Sequence, residues 1–258
     1  MNVSLKLTIL GCGTSSGVPR IGNHWGDCDP NEPKNRRSRV SILVESKTTR
    51  ILVDMSPDLR NQFLDNGIDQ IDAVMWTHDH ADHSHGIDDL RAVFRQSREP
   101  IAGYARPFAL KSLKQRFSYA FEGHDHYPSI CRAVVLDGAV EIGDIRIRYV
   151  DQPHGGITSA GLRFEYQGKS IVYATDFGKI TPEMQDLYRN CDVFVVDALR
   201  DKPHPTHAHL DMTLALIGEA QPALSLLTHM DNSMDYNHLA TILPGHIRPA
   251  FDGYVKEI

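Results

Sequence analysis

Short apolar runs rich in Val, Ile and Leu, bounded by Gly, Pro or Asp, recur along the chain. They lie at residues 5–10, 40–45, 50–54, 72–76, 133–136, 145–150, 160–166, 170–175, 193–197 and 224–228. Runs of this length read as strands. Helical spacing of apolar positions appears instead at 57–66, 86–97, 107–121, 181–189 and 210–220. Ser56-Pro57 and Thr181-Pro182 place a capping hydroxyl ahead of a proline suited to a first helical turn. The elements divide into two halves, 1–140 and 141–258, each expected to form a sheet with helices on its outer face. Two sheets stacked between helices follow, an α/β (α+β) arrangement in one domain spanning 1–258. No Gly-, Ser- or Pro-rich linker, internal repeat or low-complexity segment breaks it. The longest loop is 19–39, and loops of such length are often functional.

Composition narrows the class. The chain has 258 residues, 27 basic against 33 acidic, for a net charge of −6. That balance argues against a general binder of extended nucleic acid or of membrane surfaces. The four cysteines, Cys12, Cys28, Cys131 and Cys191, form no CxxC pair and follow no secretory leader, so reduced thiols and a cytoplasmic location are expected. No run approaches the ~20 apolar residues of a membrane span.

The chemistry concentrates after the run 72–76, in Thr77-His78-Asp79-His80-Ala81-Asp82-His83. Imidazole and carboxylate are ligands shared by Zn²⁺, Mn²⁺ and Fe²⁺. In extended backbone His78 and His80 face the same way and suit one ion, while Asp82 and His83, past the bend, reach a second. Two ions require more ligands, and three residues occupy equivalent places just after strand-like runs: His154, Asp176 and His229. A carboxylate can span two cations, which suits Asp176 to bridge, with His154 completing the first site and His229 the second.

The pattern HxHxDH, followed by His154, Asp176 and His229, resembles the metallo-β-lactamase superfamily, and the resemblance covers almost the whole chain. It implies a four-layer αββα sandwich. It also implies two divalent ions per chain (Zn or Mn, with Fe admitted), His78, His80 and His154 on one, Asp82, His83 and His229 on the other, and Asp176 between them. Lactamases proper commonly carry Cys where this chain has Asp176, which speaks against drug hydrolysis. The Gly-rich opening Leu10–Pro19 is similar to the first loop of the phosphodiesterase branch, which includes tRNase Z and PhnP-like cyclic-phosphate phosphodiesterases. His209-Leu210-Asp211-Met212-Thr213 resembles the segment in which that branch places a catalytic His, and Phe251-Asp252-Gly253 resembles a PhnP-like C-terminus. Two departures stand out. PhnP-like proteins often hold a structural zinc in a Cys cluster, whereas 22–36 offers only Cys28, with His24 and Asp27. The long tRNA-gripping arm of tRNase Z has no counterpart either.

These readings lead to the expectation of a dinuclear metal-dependent phosphodiesterase for a small cyclic or nucleotide-like phosphate ester, working by a metal-bridged hydroxide. A tRNase Z-like RNA-processing nuclease is the alternative within the branch. A metal-dependent nucleotide sensor without turnover is the alternative outside enzymes, and glyoxalase II-type thioester hydrolysis shares the hexad. The catalytic candidates are His209 as proton donor, Asp211 as its orienting or helix-capping neighbour, and Asp82 in the centre; His207 is able to substitute for His209. Ser15, Ser16 and the amides of 11–17 are candidates for a phosphate oxygen, with Arg91 as a further contact and Arg36, Arg37 and Arg39 facing an anion. Asp79 is expected to orient a ligating imidazole. His124 and His126 suggest a loop over the site or plain surface, and His85, His204 and His246 are assigned structural places. A homodimer is compatible with this reading.

Overall fold

The protein is described here from a computed structural model over residues 4–258. The first half builds β1 (Lys6–Gly11), β2 (Ser41–Glu45), β3 (Arg50–Val53), β4 (Ala73–Met75), β5 (Ile101–Ala105) and β6 (Cys131–Val135). With them come α1 (Leu59–Asp65), α2 (Ala81–Ser84), α3 (Leu90–Ser97), α4 (Pro107–Arg116) and α5 (Ser118–Glu122). The second half builds β7 (Val140–Ile142), β8 (Ile145–His154), β9 (Ile157–Tyr166), β10 (Lys169–Ala174), β11 (Val193–Asp197), β12 (Leu224–Thr228), β13 (Ile247–Pro249) and β14 (Val255–Glu257). Its helices are α6 (Pro182–Tyr188), α7 (Leu210–Ala220) and α8 (Tyr236–Ile242).

The strands form two seven-stranded sheets, in the orders β14-β1-β2-β3-β4-β5-β6 and β13-β12-β11-β10-β9-β8-β7. The division near residue 140 therefore holds, except that β14 returns to edge the first sheet. The inner strands β2, β3 and β4 of the first sheet are apolar on both faces, as a doubly covered sheet requires. Ile42, Val44, Ile51, Val53, Ala73 and Met75 join the core shared with the second sheet. The intervening Leu43, Leu52, Val74 and Trp76 pack with Leu59, Leu90, Phe94 and Leu110 of the covering helices. Helices α6 and α7 cover the second sheet with Met184, Leu187, Leu216 and Ile217. The result is helix, sheet, sheet, helix.

Four strands and two helices, α2 and α8, lie outside the expected runs, and local reasons explain the strands. β5 carries Gly103 because Trp76 lies on it: a Cβ there would sit 2.5 Å from the indole. Such a strand lacks the continuous apolar signal. β7, β13 and β14 are three-residue edge strands, and Pro249 is tolerable only at an edge. The expected helix 107–121 breaks at Phe117, whose backbone leaves the helical region (φ −122°, ψ 40°), into α4 and α5. No helix among the described residues is long and apolar enough to cross a membrane.

Candidate metal centre

β3 and β4 run parallel in one sheet, and β10, β11 and β12 run parallel in the other. Their C-terminal ends deliver Asp54, His78, Asp176, Asp197 and His229 to one edge of the sandwich. Asp54 and His229 directly follow their strands and Asp176 lies two residues past β10, each with left-handed backbone (φ 58°, 59° and 59°). Non-glycine residues rarely adopt that conformation, and Asp and His tolerate it better than most. Three such turns around one point mark strained, position-critical backbone.

Asp176 is the centre of the arrangement. Its Oδ1 faces His154 Nε2 at 3.7 Å and His78 Nε2 at 4.0 Å, and its Oδ2 faces His83 Nε2 at 3.2 Å and His229 Nε2 at 3.7 Å. Each oxygen thus addresses a separate pair of imidazoles. His80, the exposed member, brings Nδ1 to 3.3 Å from His154 Nε2. Asp82 Oδ2 lies 3.3 Å from His83 Nε2 and 3.6 Å from His229 Nε2. The structure therefore brings His78, His80 and His154 into one group, and Asp82, His83 and His229 into another. Asp176 lies between them.

A second layer fixes these rings. His83 Nδ1 meets Asp54 Oδ2 at 2.8 Å, His78 Nδ1 meets the Thr77 hydroxyl at 3.0 Å, and His154 Nδ1 meets the Thr206 carbonyl at 2.9 Å. Thr77 donates its backbone N–H to Asp54, so the acid orients both the loop and the ligand. Nδ1 contacts of this kind leave Nε2 free for a cation. The Nε2 atoms of His78, His83 and His229 are buried without a hydrogen-bond partner. Such orphans are costly unless something else satisfies them.

Charge points the same way. Burial and the neighbouring imidazole of His83 push His78 well below the usual histidine range. Burial would do the same to His83 and His229. Instead, Asp176, Asp82 and Asp54 hold His83 well above its ordinary value, and Asp176, Asp82 and Asp197 push His229 up to about 9. Burial opposes ionisation of Asp176 too, but the imidazoles of His229 and His83 hold it well below the carboxylate range. Buried acids thus demand positive charge between them, in the place where divalent cations fit the nitrogen and oxygen donor set.

The other candidates fall in three places. His207, rather than His209, reaches the centre. Its Nδ1 lies 3.2 Å from Asp197 Oδ2 and 3.5 Å from Asp176 Oδ1, whereas no His209 nitrogen comes within 4.0 Å of a carboxylate among the described residues. His209 is the residue ahead of α7, and Asp211 in the first turn of that helix is exposed. Helix start and chemistry thus part company by two residues. Arg91 pairs with Asp88 at 3.0 Å on its own helical segment and lines none of the metal groups. Asp79 turns away from the imidazoles and accepts from Ser112 Oγ at 2.6 Å and Arg116 Nη2 at 2.8 Å, both on α4.

In the first loop, the amides of Gly13, Thr14, Gly17 and Val18 are spent on backbone carbonyls, leaving Ser15 and Ser16 as its exposed residues. Arg37 is buried: it donates to the carbonyls of Met234 (2.6 Å) and Asp231 (3.3 Å) and lies 3.9 Å from Cys28 Sγ. It ties the segment 36–39 to the stretch 231–234. Asp252 accepts from the amides of Cys12 (3.1 Å) and Ser38 (2.6 Å), tying the C-terminal segment to the same loop.

A family model described as a beta-lactamase superfamily domain matches residues 49–230, which include the hexad and every other residue of the two groups. The chain belongs to the beta-lactamase superfamily. Within this superfamily, a crystal structure of a diphosphatase from the PhnP family is 33% identical, covers 99% of this chain and 97% of its own, and superposes with a TM-score of 0.89. An octanoyltransferase of Porphyromonas gingivalis is 33% identical over 96% of this chain but only 51% of its own length. A ribonuclease Z of Methanopyrus kandleri is 28% identical over 48% of this chain and 43% of its own. The chain spans about half the length of these curated relatives. It has the metallo-β-lactamase fold, and its buried donors fit the divalent metal ions that the superfamily implies.

Proposed function

We propose that this superfamily member is a dinuclear metal-dependent hydrolase that cleaves a P–O bond in a small phosphate diester or diphosphate. The observation that carries this reading is Asp176, whose two oxygens address separate imidazole groups, with His207 and Asp197 beside it. His78, His80 and His154 would hold one ion, and Asp82, His83 and His229 the other, with Asp176 shared. Two such ions, when bound, activate water near neutral pH and neutralise charge on a phosphoryl group.

The protein's own residues then orient and donate. Asp197 is fully buried, accepts the Asp176 amide at 3.1 Å and holds His207 Nδ1. That contact leaves His207 Nε2 to carry a proton to the leaving oxygen, the role expected for His209. His80 is the solvent-exposed member of the centre. The PhnP-family diphosphatase supports a diphosphate or diester substrate, and the ribonuclease Z supports P–O cleavage more broadly.

A second reading, thioester hydrolysis, draws on the likeness to the octanoyltransferase. One panel separates the two: metal-reconstituted protein against bis(p-nitrophenyl) phosphate, cyclic nucleotides, a dinucleoside diphosphate and octanoyl-coenzyme A. Turnover of phosphate substrates is expected, and turnover of the thioester alone would overturn the proposal.

A further inference from the structure

Several sequence features that the metal centre does not use meet in one place. A cavity of about 580 Å³ opens between the first loop, the segment 36–39, α1 and the turn at 252–253. Ser16, Arg36, Arg37 and Arg39 line it, joined by Arg20, and no residue of the two metal groups does. Gly13 pairs with Arg39 on one flank and with Met230, the neighbour of His229, on the other. At ~4.8 Å between adjacent segments, the first loop separates Arg39 from Met230 by roughly 10 Å. The cavity is therefore distinct from the metal centre and shares a wall with it.

Its volume suits a small molecule, and its charge selects which kind. Arg37 is committed to carbonyls and serves as scaffold. Arg39 is held rigid by Asp58 at 3.1 Å and by the Ser15 carbonyl at 3.0 Å. Arg36 rests over the Trp25 ring at 5.2 Å, and Arg20 has only a 3.5 Å contact with Asp231. The acids of the wall are largely spent. Asp58 also accepts the Arg39 amide, and Asp252 accepts the amides of Cys12 and Ser38; Asp65 stands exposed at the rim. Preorganised guanidinium groups recognise phosphate better than any other common anion-binding side chain. The facing wall, on and just after α1, carries the amides of Asn61, Gln62 and Asn66. Gln62 is locked by donating to Ser38 Oγ and the Arg39 carbonyl, and Asn66 donates to the Gln62 carbonyl, which leaves its own oxygen to accept.

We propose that this cavity binds a small phosphorylated molecule, with Arg20, Arg36 and Arg39 on the phosphate and Asn61 and Asn66 on a hydroxyl- or amine-bearing remainder. A nucleoside monophosphate has this chemistry. Calorimetric titration of the metal-loaded protein with AMP tests it, with adenosine as the uncharged control. Wild type is expected to show a class of AMP sites that adenosine does not fill, weakened at least ten-fold in an R20A/R36A double variant. Both arginines are exposed, and an unchanged melting temperature verifies that the variant is folded. AMP binding unaltered in that variant, or adenosine binding as tightly as AMP, would overturn the proposal. The readout is binding, so it stands apart from whether the metal centre hydrolyses phosphate.

Discussion

His207 and His209 are two residues apart, and only His207 turns a ring nitrogen toward Asp176 and Asp197. The difference sets the expected kinetics. His207→Ala should lower kcat on an unactivated diester by roughly 10²–10⁴-fold, the range for losing a general acid, with a smaller loss on a p-nitrophenyl ester, whose leaving group needs no proton. His209→Ala should change kcat far less; a loss equal to that of His207→Ala with metals retained would return the donor role to His209. Asp197→Asn keeps the shape but weakens the hold on His207 Nδ1, so a fall in kcat is expected at little cost in KM. The grouping of the seven metal candidates was legible because His78, His154, Asp176 and His229 stand at or just past strand ends and His80, Asp82 and His83 follow His78 within the hexad. Asp54 and Asp197 satisfy the same criterion, directly after β3 and at the end of β11, and a search for acids at every strand end finds them. That His207, and not His209, faces Asp176 was not legible, since it depends on where α7 begins relative to the loop over Asp176.

At the scale of elements, α4 reaches back to the hexad. Arg116 donates to both the carboxylate and the backbone carbonyl of Asp79, and Ser112 adds a bond to the carboxylate. Asp79 lies between two metal candidates, so the helix positions His78 and His80 through the loop. Arg116→Ala should weaken metal retention about ten-fold, the lower end for lost outer contacts at a metal site, and Arg116→Lys should recover part of it. Competition with a chromophoric chelator measures this, and equal retention in all three proteins would show that the contact only staples the surface. The sequence showed α4 as an amphipathic run but not this contact, because Arg116 looks like any charge in the last turn of a helix. Most strands were legible for a related reason: those apolar on both faces read as continuous Val, Ile and Leu runs. β5 was hidden by Gly103 under Trp76, and the edge strands by their brevity.

For the whole molecule, the C-terminal segment closes the fold on the first loop through Asp252. Burial pushes its carboxyl up to about 6, against the amides of Ser38 and Cys12 that favour the ionised form. A carboxyl raised in the folded state binds its proton more tightly there than in the unfolded chain. Its contribution to stability is therefore full below the ordinary carboxylate value near 4 and is lost as pH rises through about 6. Asp252→Asn cannot titrate, so the stability advantage of wild type over this variant should shrink between pH 4.5 and pH 7. Urea unfolding at both pH values checks the trend, and an advantage that grows with pH would reverse the assignment. The two-sheet division was readable from the order of runs, but the return of β14 to the first sheet was not, because Val255–Glu257 carries little apolar signal.

The central claim is that Asp176 joins two cation sites into one hydrolytic centre. Its most direct test is a titration of metal-stripped protein with Mn²⁺ or Zn²⁺, following hydrolysis of bis(p-nitrophenyl) phosphate and bound metal together. Activity should rise to a plateau at two ions per chain, and Asp176→Ala should lose both the second ion and the activity. Full activity at one ion per chain, or an active Asp176→Ala variant, would contradict it.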